Sequence, residues 1–67
     1  MKTPVYISHL AREYARHKGR PESFKAAAIA LLDIAIDDND LSGLEFERLS
    51  KRIRRQIDKM NLEVLKK

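Results

Sequence analysis

Sixty-seven residues with no cysteine make one small domain, residues 1–67, at a size where a lone core is only marginally stable. They exclude a disulfide framework and any thiolate metal site. Charged residues are 36% of the chain and the net charge is +4, which points to a polyanionic partner. No apolar run approaches the ~20 residues of a membrane span, and MKTPVYISHL lacks the apolar core of a leader. The expected location is therefore the cytoplasm, away from membranes.

The charge is unevenly placed. Residues 1–25 carry net +4, residues 26–47 net −6 and residues 48–67 net +6. Basic ends around an acidic middle suit binding to nucleic acid or to an acidic protein.

The first helix is expected over Pro4–Lys18. Thr3 can cap it, and Pro4 fits the first position, where a missing N–H costs nothing. Ile7, Leu10, Ala11, Tyr14 and Ala15 recur at helical spacing and define the expected buried face. His9, Arg12, Glu13, Arg16 and His17 fall on the other side, and Gly19 ends the element.

Gly19-Arg20-Pro21 is a short breaker, so the second helix should run antiparallel to the first. It is expected over Pro21–Ile36. Eleven of the thirteen residues in FKAAAIALLDIAI, Phe24 to Ile36, are apolar. A helix apolar on most sides is expected to be buried on most sides. Its only solvent stripe would be Ala26, Ala30, Asp33 and Asp37. Three aspartates, Asp37, Asp38 and Asp40, then oppose the helix dipole and predict a fraying, mobile loop.

The third helix, Gly43–Leu65, has the clearest start. Ser42 and Glu45 read as a capping box, and Leu41 and Phe46 are spaced as its hydrophobic staple. Phe46, Leu49, Ile53, Ile57, Met60 and Val64 follow a 3.6-residue period. A heptad seam would need apolar residues at Gln56 and Glu63, so globular packing is favoured over a coiled coil. At ~1.5 Å per residue this helix spans ~34 Å, about 10 Å more than the second, and an overhang is expected. Leu62 and Leu65 leave the main stripe, which suggests a homodimer through the long third helix. The fold class is all-α: a small three-helix bundle.

Arg48, Arg52, Arg55 and Lys59 recur at i, i+4, i+7 and i+11 on one face, with Lys51 and Arg54 beside them. Arginine forks bind phosphate bidentately, and a basic helix face is the electrostatic footprint of backbone binding. A solvated face with weak ion pairs to Glu45, Glu47 and Asp58 is the plainer account of the same run. A helix-turn-helix fits poorly, because the connecting loop is acidic and long.

Other constellations carry less. Asp38-x-Asp40-x-Ser42-Gly43 matches the opening of a calcium loop, but Leu49 stands where a bidentate glutamate is required. His9 and His17 lie ~12 Å apart along a helix, too far to share one ion. No nucleophile, phosphate loop or Ser/His/Asp set is present, so neither catalysis nor a cofactor is expected. The two tyrosines, Tyr6 and Tyr14, are expected at the rim or in the core.

The functional expectation is a small non-catalytic regulatory protein. It would bind nucleic acid, DNA or RNA, through Arg48, Lys51, Arg52, Arg54, Arg55 and Lys59. The alternative is a protein-interaction module or inhibitor docking on an acidic protein, anchored by Leu62, Leu65, Val5 and Tyr6.

Overall fold

The computed structural model describes residues 2–66. They form α1 (Thr3–Arg16), α2 (Pro21–Ile36) and α3 (Gly43–Leu65), with no strand among the described residues. The second and third helices have the bounds the sequence predicts. The first ends two residues earlier than expected, at Arg16, and Gly19 turns the chain with a φ of 80°. Only glycine adopts that left-handed backbone without strain.

Three side-chain links define the topology. Thr3 donates its hydroxyl to Glu45 at 2.7 Å, and Tyr14 donates to Glu63 at 2.7 Å. Both ends of α1 thus match the corresponding ends of α3, and the two helices run parallel. Tyr6 donates its hydroxyl to Asp38, just after α2, so α2 runs antiparallel to both. The bundle is up-down-up.

The core is made by one stripe from each helix. Tyr6 and Leu10 come from α1; Phe24, Ala28, Leu31 and Ala35 from α2; Leu49, Ile53 and Met60 from α3. Tyr14 meets Phe24 edge-on, with ring centroids 5.2 Å apart, the arrangement aromatic quadrupoles favour. Phe24 is fully buried. Truncating such a residue to alanine costs about 3–5 kcal/mol, comparable to everything a core of this size supplies.

The buried face of α1 differs from the expected one. Ala11 and Ala15 are exposed, while Tyr6 is fully buried and His17 half-buried. The helix is rotated toward its large side chains because two alanines fill too little of the space between three helices. Thr3 does not cap it either. Lys2 occupies the cap position without a side-chain bond, and the Thr3 hydroxyl is used across the bundle.

The second helix is the larger departure. It is buried along one face only, and Ile29, Ile34 and Ile36 are 45%, 54% and 64% exposed. Two neighbouring helices cannot surround a third in so short a chain, so its flanks stay open.

Both the loop and the end of α3 are bonded to the bundle. Asp38 accepts the Tyr6 hydroxyl and, at 2.9 Å, the backbone N–H of Asp40, and the Leu41 N–H bonds the Asp38 carbonyl at 3.2 Å. The α3 helix stays packed through Met60 and Glu63, leaving Leu62 and Leu65 exposed near its end. The capping box is present: Ser42 accepts from the Glu45 N–H, and Glu45 accepts from the Ser42 N–H. Leu41 and Phe46 pack against the core.

Candidate nucleic-acid interface

The α1–α3 pairing converts a charged helix face into a groove. Arg48, Lys51, Arg52 and Arg55 line it from α3, Thr3 and Ile7 line it from α1, and Leu49 forms part of the wall. The cavity is about 310 Å³. The four basic residues are all exposed, as groups that must reach a ligand have to be. Arg52 and Arg55 have no ion-pair partner among the described residues. Lys51 has one, Glu47 at 3.5 Å, and both are well exposed, so the pair is worth little.

Two of the six sequence-predicted residues stand apart. Arg54 lines a groove against α2 with Lys25 and Ile29 and not the α1–α3 groove, whereas Lys51 borders both. Lys59 stays on the basic side, but its ammonium sits 5.5 Å from the centroid of the Tyr14 ring. At that distance a cation–π contact holds it. The compact cluster is therefore Arg48, Lys51, Arg52 and Arg55.

Thr3 and Ile7 escaped the sequence reading because they lie some forty residues from the arginines they face. Ala11 and Ala15 follow Ile7 at i+4 and i+8, so a small-residue flank continues along α1 on that side. Near the end of the groove where α1 and α3 begin, Glu45 is held below the ordinary glutamate range. The Thr3 hydroxyl is the main cause, the Ser42 backbone and hydroxyl follow, and Arg48 adds a smaller attraction. Glu45 is thus committed to the fold and only partly neutralises Arg48.

The protein's aromatic residues are unavailable for stacking. Tyr6 and Phe24 are fully buried, and Tyr14 and Phe46 are half-buried against the core. Burial first, and carboxylate acceptors second, raise both tyrosine hydroxyls to about 12. Their oxygens are structural. Tyr6 cannot be a docking anchor, whereas Val5 remains 42% exposed.

The remaining polar clusters are also occupied within the fold. His17 Nε2 lies 3.1 Å from Glu13 Oε2, while His17 Nδ1 is buried without a partner. His9 is exposed. Among the described residues, no three His, Asp or Glu side chains are grouped to hold one metal ion. No helix among them is long and apolar enough to cross a membrane. Comparison with known proteins found no matching family model, curated protein or solved structure.

Proposed function

We propose that this chain is a small non-catalytic regulator that binds the phosphate backbone of duplex nucleic acid through the α1–α3 groove. One observation carries the reading: Arg48, Lys51, Arg52 and Arg55 converge on one exposed groove. Planar guanidinium forks suit paired phosphate oxygens. The lack of an exposed tyrosine or phenylalanine favours a duplex over a single strand, since single-strand binders stack bases on aromatic platforms. Cations that meet any phosphate backbone dominate the groove, so the expected binding is largely sequence-independent.

A second reading has its own support. Leu44 and Leu62 are 59% and 57% exposed and share a helical face with Lys51 and Arg55. Leu65, near the end of α3, is 79% exposed. Apolar anchors beside a basic centre suit docking on an acidic protein, or on a second copy through the third helix.

Fluorescence anisotropy with random duplex DNA, duplex RNA and single-stranded RNA separates the two. The regulator reading expects duplex binding that weakens steeply with salt and is reduced in the Arg52→Ala/Arg55→Ala variant. Absence of binding at low salt overturns it and leaves the acidic-protein partner.

A further inference from the structure

A second surface adjoins the basic groove at Lys51. Between α2 and α3 lies a wider groove of about 640 Å³, floored by Ile29, Leu32, Ile53 and Ile57. Ile29 is 45% exposed, and Ile36, on the same flank of α2, is 64% exposed. On α3 this groove is flanked by Lys51 and Arg54, whereas Arg48, Arg52 and Arg55 line only the basic groove.

We infer that this groove receives the α2 helix of a second copy of the same chain, in an antiparallel two-fold pairing centred on Ile29. Charge placement identifies the occupant. Lys25 and Asp33 lie four residues to either side of Ile29, both exposed and neither in an ion pair among the described residues. An antiparallel pairing about Ile29 sets Lys25 of each copy opposite Asp33 of the other, so both ion pairs form at once. A two-fold interface is self-complementary in this way by necessity.

The helix dipoles agree. The C-terminal end of α2 carries Asp33 and Asp37, with no basic residue in its last turn, which is unfavourable against its own dipole. An antiparallel partner brings its α2 N-terminus and Lys25 to that end.

The pairing groove is not lined by Arg48, Arg52 or Arg55, which remain available on each copy. The pairing does not depend on the nucleic-acid reading.

Sedimentation equilibrium of the full chain over a wide concentration range tests this. The expected result is a mass rising from 7.8 kDa to twice that value. Ile29→Glu should weaken association by more than about tenfold, since it buries an unpaired charge. Its helicity should persist, because position 29 is already solvent-facing. Lys25→Asp should also weaken association, and Lys25→Asp/Asp33→Lys should restore it. Arg52→Ala/Arg55→Ala should associate like the wild type, separating this surface from the basic groove. A chain monomeric at every concentration overturns the proposal. So does a dimer that survives Ile29→Glu but is lost in Leu62→Glu/Leu65→Glu, or a charge swap that fails to restore pairing.

Discussion

The fully buried Tyr6 of α1 donates its hydroxyl to the carboxylate of Asp38, thirty-two residues away in the α2–α3 loop. This bond fixes the end of the bundle where α1 begins and α2 stops. It also gives one of the clustered aspartates a structural task. Tyr6→Phe keeps the ring in place and removes only the donor. Loss of one such bond is expected to lower the melting temperature by roughly 5 °C, read by circular dichroism, while nucleic-acid binding stays unchanged.

Alkaline pH should attack both tyrosine links together. Tyr6 and Tyr14 sit at about 12 in the fold against an ordinary 10, through burial first and then through Asp38 and Glu63. A raised folded-state value favours the neutral phenol. Their contribution is complete below pH 10 and is lost as pH climbs from 10 toward 12. Urea unfolding across that window should show a steep fall in the wild type. The Tyr6→Phe/Tyr14→Phe variant should show a shallower one, with lysine deprotonation common to both proteins.

The start of α3 predicts the opposite pH dependence. Glu45 is held low by Thr3 and by the capping box, so its stabilisation is present above the ordinary glutamate range and is lost as acid protonates it. Thr3→Val should flatten the acid limb of the stability profile. Ser42→Ala should cost about 1 kcal/mol at neutral pH, measured by urea denaturation.

Gly43, the first residue of α3, offers a stabilising change. A Cβ built there meets nothing within 4 Å, and its backbone is not left-handed. Gly43→Ala should therefore raise stability by about 0.5–1 kcal/mol, by restricting the unfolded chain. An unchanged denaturation midpoint would count against that account.

The division of the basic face predicts unequal variants. Arg52→Ala/Arg55→Ala should reduce duplex affinity and lower the salt slope by about 2, roughly one unit for each phosphate that is no longer neutralised. Arg54→Ala should change neither, since Arg54 faces the α2 groove. Equal effects in the two proteins would mean that overall charge, rather than the groove, attracts the ligand.

Local interactions alone placed the helices. Pro21, the Ser42–Glu45 box and the 3.6-residue stripe of α3 specify helix starts and faces through bonds and packing within a few residues. The helices accordingly lie close to where those signals put them. The basic stripe was legible for the same reason, since i, i+4 and i+7 positions share a face in any helix. Which residues complete the stripe into a groove depended on packing. The parallel arrangement of α1 and α3 brings Thr3 and Ile7 to Arg48 and Arg52, and no local pattern encodes a meeting across forty residues. Packing also decided the burial of Tyr6 over Ala11 and Ala15, and the exposure of Ile29 and Ile36 on a helix whose sequence reads as core. Hydrophobicity states how much surface a helix has to hide. Only the number and placement of its neighbours set how much of it one chain can cover.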